Sequence, residues 1–490
     1  MSTFFTRRGL LASAAAIGAA HLLHPRAATA AVGANTLTAA RRTIEVQGRA
    51  VSVFSLRGGS GTAALVLDAG QRFAVTLDNQ TGEDTIIHWH GQTPDPAQDG
   101  VTDTGYVDAI AGGRSQAYDF APRPGTHWMH SHHGLQEQNL LAAPLIVRSG
   151  DDATADRQEV VVMLHDFSFR PPEEILAGLT GPMGEAMSGH AMPAMSGGMG
   201  GTAGHNMAGM GHDMSGMAPM MGMDLNDVEY DAYLANDRTL DDPEVVRTEA
   251  GGQILLRIIN AATSTAFWID LGGASGTLTA VDGNPVVPVE TSRIPLAQAQ
   301  RADILVTVPA GGIVPVLAER EGDRARTGII LAAPGATVTK VAAAADTAAP
   351  PIDLSLEARL TAQSPLAAKP AGIAHRLALT GSMMPYAWGI DGRTWQERAP
   401  LRVGSGERIV IEMTNQSMMA HPMHLHGHHF QVVAIDGRAL SGAMRDTVLV
   451  PPMGRVAIAF DADNPGRWLL HCHNLYHMAM GMMTEVVYEA

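Results

Sequence analysis

One phrase recurs three times along the chain: Gly70-Gln71-Arg72-Phe73-Ala74-Val75-Thr76-Leu77-Asp78-Asn79, then Gly252-Gln253-Ile254-Leu255-Leu256-Arg257-Ile258-Ile259-Asn260, then Gly406-Glu407-Arg408-Ile409-Val410-Ile411-Glu412-Met413-Thr414-Asn415. Each copy is a glycine turn, a run of strand formers and a terminal asparagine. Three copies spread over 490 residues predict homologous units rather than one sheet, and the chain is longer than a single hydrophobic core usually organises. Between the copies, short β-rich runs such as Leu65-Val66-Leu67 alternate with Gly, Pro and Asp turns, the rhythm of β-sandwiches. The expected fold is all-β, with three sandwich domains at 31–150, 151–345 and 350–490. The boundaries fall near Gly150 and Pro350, and the Ala/Pro-rich stretch from Ala342 to Pro351 reads as the second linker.

The amino-terminal thirty residues stand outside this pattern. Arg7 and Arg8 precede an apolar run from Gly9 to Leu23 that is too short for a comfortable membrane span, and Ala28-Thr29-Ala30 has the small-x-small form that signal peptidases cut. The pair in Thr6-Arg7-Arg8-Gly9-Leu10-Leu11 resembles a twin-arginine export signal; an ordinary secretory signal is the alternative, and either leads out of the cytoplasm. Residues 1–30 are therefore expected to be a signal peptide read by the twin-arginine machinery, leaving a periplasmic protein. No later stretch has the length and purity of a membrane helix, so no membrane anchor is expected.

The formal net charge is −16, and the segment to Ala30 holds three arginines and no acid, so the remainder is more acidic still. Nucleic acid is not an expected partner of such a surface. The chain has one cysteine, Cys472. Outside the cytoplasm it cannot form an internal disulfide, and histidines on both sides make a metal its natural occupant.

The segment 183–223 breaks the β pattern. It is mostly Met, Gly, Ala, Ser and Pro, with twelve methionines and His190, His205 and His212. Methionine in helices and strands is usually core filler. Here it alternates with Gly and Ser, leaving no apolar partners, and a thioether is a soft ligand that prefers Cu(I). The run is read as a copper-gathering insertion in the second domain.

The chemistry is concentrated in four clusters: His88-Trp89-His90-Gly91, His130-Ser131-His132, His421-Pro422-Met423-His424-Leu425-His426, and His471-Cys472-His473-Asn474-Leu475-Tyr476-His477. On a strand a His-x-His pair puts both imidazoles on one face, where they reach one metal or two adjacent ones. Histidines 88, 90, 130, 132, 424, 426, 471 and 473 are expected to converge. The same alternation turns Cys472 to the opposite face, so one short segment joins two metal centres. For the cysteine side, two His, one Cys and a weak axial Met is the set favoured by copper electron-transfer sites, and His421, His477 and Met482 supply it. Zinc is the rival, but structural zinc sites favour paired Cys-x-x-Cys spacing and leave the other histidines unexplained.

These motifs resemble those of the multicopper oxidases over the whole chain beyond the signal, and among them the bacterial copper-efflux and copper-resistance oxidases. The resemblance implies three cupredoxin-like Greek-key sandwiches and four copper ions. It implies His421, Cys472, His477 and Met482 as type 1 ligands, His88 and His424 as type 2, and His90, His130, His132, His426, His471 and His473 as type 3. It further implies that electrons enter at the type 1 copper and pass through Cys472 to a cluster that reduces dioxygen to water. Asp99, eleven residues after His88, stands where similar oxidases carry an acid beside the cluster and is the candidate for moving protons; the alternative is a turn aspartate in Gln98-Asp99-Gly100. Two positions depart from the resemblance. Ser417 stands where the Cu(I) site of similar oxidases has an acid, beside Met419, and Met478 follows His477 where a glutamate can stand. The expected partners are dioxygen with either Cu(I) or a small organic reductant such as a phenol. A periplasmic copper-binding or storage protein is the reading from another class.

Overall fold

The three recurring phrases become three equivalent strands, Phe73–Gln80, Gln253–Asn260 and Arg408–Asn415. Each pairs parallel with the first strand of its own unit, namely Asn35–Val46, Gln158–Phe167 and Ile373–Met383. On its other side each pairs antiparallel, with Ser115–Phe120, Arg301–Thr307 and Arg455–Asp461 respectively. The likeness read from sequence is therefore a likeness of position in the sheet. This computed structural model describes residues 35–59, 61, 63–181 and 225–489. The signal segment and the methionine-rich run 183–223 lie outside the described residues.

Each repeat's terminal asparagine explains why the phrase ends as it does. Asn79 Nδ2 donates to the carbonyls of Glu83 and Ile110, and its Oδ1 accepts from the Thr81 amide. Asn260 does the same with Thr265, Leu296 and Ala262, and Asn415 with Met419, Val450 and Ser417. All three side chains are buried. One carboxamide thus satisfies three backbone groups at the point where the chain leaves the strand, which a buried corner requires.

The strands form six sheets arranged as three sandwiches. In the first unit, the sheet of Asn35–Val46, Arg49–Gly58, Phe73–Gln80 and Ser115–Phe120 faces the sheet of Leu65–Leu67, Ala142–Val147, Gly125–Ser131 and Ile87–His90. Between them lies an apolar core that includes Leu37, Phe54, Phe73, Leu77, Trp89 and Tyr118. The second and third units repeat the arrangement with larger sheets, in strand runs spanning 158–332 and 373–489. Residues from 35 onward form one compact unit, and charged groups cross between sandwiches inside it: Thr126 of the first meets Asp303 of the second at 2.5 Å, and Arg445 of the third meets Asp282 of the second at 3.2 Å.

Replacing Asn260 by alanine strands three buried backbone groups, so unfolding of the copper-loaded protein followed by circular dichroism should show a loss of at least about 2 kcal/mol. A change within about 0.5 kcal/mol would mean that the corner is held by packing alone.

Candidate metal centre

The short strand Ile87–His90 is buried along its whole length and pairs with Gly125–Ser131 so that His88 stands opposite His130. In the third sandwich, His421–Leu425 pairs with Arg467–Cys472, placing His424 opposite His471 and Met423 opposite Cys472. These two strand pairs, one from each end of the sequence, bring the predicted histidines together.

Four groups made of His and Cys alone result, with potential ligand atoms in each lying within 4.8 Å of one another: His88, His90 and His424; His90, His130 and His473; His132, His426 and His471; and His421, Cys472 and His477; a fifth joins Asp99 to His88 and His426. The first three interlock through ring contacts such as His90 on His424 at 3.8 Å and His88 on His426 at 3.9 Å between centroids. The fourth lies on the other face of Arg467–Cys472, where Cys472 Sγ is 3.7 Å from His421 Nδ1 and 3.6 Å from His477 Nδ1. Met482 is fully buried beside it, its carbonyl accepting from the Cys472 amide.

In nearly every ring one nitrogen is anchored and the other is turned inward. His88 Nδ1 donates to the Asp99 carbonyl at 2.9 Å, His424 Nδ1 to the Asp446 carbonyl at 2.8 Å, and His130 Nδ1 lies 2.8 Å from Glu137 Oε2. The Nε2 atoms of His88, His130, His132, His424 and His473 are buried with no hydrogen-bond partner. His90 is reversed: its Nε2 meets Asp446 Oδ1 at 3.1 Å, and its Nδ1 is the atom left over. His426 Nε2 and His471 Nε2 face each other at 3.0 Å. Buried nitrogens without partners are costly unless something binds them, and anchored rings with inward lone pairs are how proteins hold metal. The donor set fits copper: imidazole alone at the cluster, and two imidazoles, a thiol and a thioether at Cys472.

Electrostatics agree with that use. Burial, followed by repulsion among neighbouring groups, pushes His90, His130, His421, His424, His426 and His471 well below the ordinary histidine value. Burial likewise takes His473 down to about 3. These rings are neutral and keep the lone pair that a metal needs. Burial pushes the Cys472 thiol up, so forming the thiolate calls for a bound cation.

Asp99 lies both in a turn and beside the histidine cluster. It ends the short helical turn Pro96–Gln98, and Gly100 after it has φ +78°, where a Cβ would come within 1.8 Å of the Ile87 carbonyl oxygen. That turn delivers a buried carboxylate whose Oδ2 is 2.8 Å from His426 Nδ1 and whose Oδ1 is 3.4 Å from His88 Nδ1.

Sequence reasoning missed the other carboxylates behind the rings. Glu137 backs His130, Asp103 lies 3.7 Å from His132 Nδ1, Asp446 backs His90, and Asp227 Oδ1 is 3.1 Å from His477 Nε2. No motif spacing marks these acids, because each comes from a loop or from another sandwich. Burial would raise Asp227, but the His477 ring and the Asn474 amide outweigh it and hold it below the usual carboxylate range. His421 Nε2 donates to Ser417 Oγ at 2.7 Å, so the position without an acid still anchors its ring, while a carboxylate, Asp227, backs the neighbouring ligand His477. Met478 lines both a surface cavity of about 400 Å³ that reaches His132 and a small inner cavity bordered by His130, His471 and His473.

Family models described as multicopper oxidase match residues 38–152, 205–316 and 369–490. The multicopper oxidase MmcO of Mycobacterium tuberculosis is 32% identical, over 99% of this chain and 92% of its own. A copper resistance protein A homolog of Pseudomonas syringae is 26% identical over 92% of each chain, and laccase-2 of Botryotinia fuckeliana is 26% identical over 92% of this chain and 81% of its own. In fold, the crystal structure of Fet3p, a multicopper oxidase that functions in iron import, has a TM-score of 0.73 at 16% identity, covering 93% of this chain and 90% of that one.

Glu137→Ala removes the anchor of His130 and should weaken copper retention about 10- to 100-fold, measured by competition with a chelator. Unchanged retention would show that ring packing, such as the Trp128 stack at 4.3 Å, is sufficient to orient the imidazole.

Proposed function

The chain belongs to the multicopper oxidases and carries their four coppers, and on that premise we propose that it oxidises Cu(I) at the outer, cysteine-containing site and reduces dioxygen to water at the histidine cluster. The observation that carries this reading is the segment His471-Cys472-His473, whose sulfur belongs to one group of ligands while its two imidazoles belong to two others. Bound there, copper supplies one-electron chemistry at the sulfur site and multi-electron reduction of dioxygen at the cluster.

The residues divide the work. His421, Cys472, His477 and Met482 hold the type 1 ion. His88 and His424 hold type 2, and His90, His130, His132, His426, His471 and His473 hold the type 3 pair. Cys472 gives a continuous covalent path from its sulfur to both neighbouring imidazoles. Four electrons and four protons convert one dioxygen to two waters, so protons must reach a buried site. Asp99 Oδ1, buried with no hydrogen-bond partner, is placed to hold one beside His88 and His426.

Cu(I) as substrate is supported by the thioethers. Met383, Met384 and Met418 are exposed by 39%, 73% and 64%. Met383 ends the strand Ile373–Met383 and Met384 lies in the turn before Tyr386–Ile390, a strand whose Trp388 stacks on His477 at 4.0 Å, and Met418 adjoins Ser417. Asp227 follows the run of twelve methionines closely in sequence and bonds to His477. The laccase relative favours a second reading, oxidation of phenols, with the methionines as a lid or copper buffer. We further propose export through the twin-arginine machinery to the periplasm, supported by Arg7, Arg8 and Ala28-Thr29-Ala30; among the described residues no helix is long and apolar enough to cross a membrane.

Oxygen uptake by copper-loaded enzyme should be fast with Cu(I) and poor with a phenol in copper-free buffer. The reverse result, or Cu(I) oxidation unaffected by deleting 183–223, would favour the laccase reading. Cys472→Ser should abolish both the blue absorption and turnover while the cluster coppers stay bound. A surviving blue band would refute the ligand assignment, and an absence of turnover with every reductant would point to copper storage.

A further inference from the structure

The second sandwich contributes none of the histidines grouped above, yet one of its side chains reaches the cluster. Arg301, in the strand Arg301–Thr307, is fully buried. Its Nη1 donates to Asp446 Oδ1 at 2.7 Å, and its Nη2 donates to Asp446 Oδ2. Its Nε donates to the carbonyl of Thr126, in the first-sandwich strand that also carries His130. Asp446 belongs to the third sandwich. Its Oδ1 also accepts from Thr447 Oγ at 2.9 Å and meets His90 Nε2 at 3.1 Å, while its carbonyl accepts from His424 Nδ1 at 2.8 Å.

A second observation shows how closely this pair is fitted to His90. Gly91 follows that ring with φ +85°, and a Cβ there would lie 2.6 Å from Arg301 Nη2 and 2.9 Å from Asp446 Oδ2. The glycine of His88-Trp89-His90-Gly91 is therefore the residue that lets the ligand strand lie directly against the ion pair.

We propose that Arg301 is a positioning residue of the trinuclear cluster. By a two-point grip it fixes the Asp446 carboxylate, which holds His90 with Nδ1 rather than Nε2 turned inward, and the same residue's carbonyl orients His424. The guanidinium is suited to this because its planar fork sets the carboxylate's rotation as well as its place, which an ammonium cannot do. One grip thereby governs a type 3 and a type 2 ligand from a sandwich that supplies none of the grouped histidines. The inference rests on the assignment of those histidines proposed above.

The test compares copper-loaded wild type with Arg301→Lys and with the neutral pair Arg301→Gln/Asp446→Asn, which removes both charges together and so avoids stranding a buried carboxylate. Copper content, the paramagnetic resonance of type 2, the near-ultraviolet band of the type 3 pair and the blue type 1 band are read on each. The neutral pair is expected to keep the blue band and thermal unfolding close to wild type. Its copper content should fall at least one ion per chain below four, or its type 2 signal should shift. Arg301→Lys is expected to fall between. Wild-type copper content and cluster signals in the neutral pair would overturn the inference, as would parallel loss of the blue and cluster signals, which marks general structural damage. Wild type lacking type 2 and type 3 signals after loading would instead overturn the copper assignment itself.

Discussion

Alternation of side chains across a strand is the constraint on which the rest of this structure depends. At His471-Cys472-His473 it directs a sulfur to one face and two imidazoles to the other, so two chemically different sites share three consecutive residues. Everything else is arranged around that segment. The strand His421–Leu425 lies beside it and repeats the logic, with His421 joining the sulfur and His424 the cluster. The first sandwich then closes over the imidazole face with His88, His90, His130 and His132.

Packing so many imidazoles together has an electrostatic consequence. A charged ring among its neighbours would be repelled and poorly solvated, so burial and proximity keep the rings neutral. Neutral rings can still rotate or exchange tautomers, and the structure prevents this from behind. Carbonyls of Asp99 and Asp446 and the carboxylates of Glu137, Asp99, Asp446 and Asp227 each engage the nitrogen that does not face inward. Such outer partners set both orientation and basicity. Three of them bridge sandwiches: Asp99 of the first meets His426 of the third, Asp446 of the third meets His90 of the first, and Asp227 of the second meets His477 of the third.

A buried charge network adjoins the interface that forms the cluster. Asp446, Arg301, Asp282, Arg445 and Glu357 alternate in sign through the interior where the second and third sandwiches meet. Buried pairs of this kind contribute little net stability but are costly to break one partner at a time. They fix how the sandwiches sit, and through His90 and His424 that placement passes directly to the ligands.

The sequence by itself determined the all-β class, the threefold repeat and the identity of the histidines and cysteine that meet. Period-2 alternation and His-x-His spacing are local properties, and local geometry is what a sequence states directly. Even the terminal asparagine of each repeat was visible, although its role in satisfying three backbone groups was not. Only the tertiary structure decided which groups stand behind the rings. Asp227, Glu137, Asp446 and Arg301 have no spacing relation to the histidines they serve, because each is brought there by loop closure or by a neighbouring sandwich. Tertiary structure also set Ser417 against His421 and Asp227 against His477, and put Asp99 at the end of a turn beside His426. Which nitrogen of His90 faces inward depends on a carboxylate 356 residues away, a choice that no local pattern can encode.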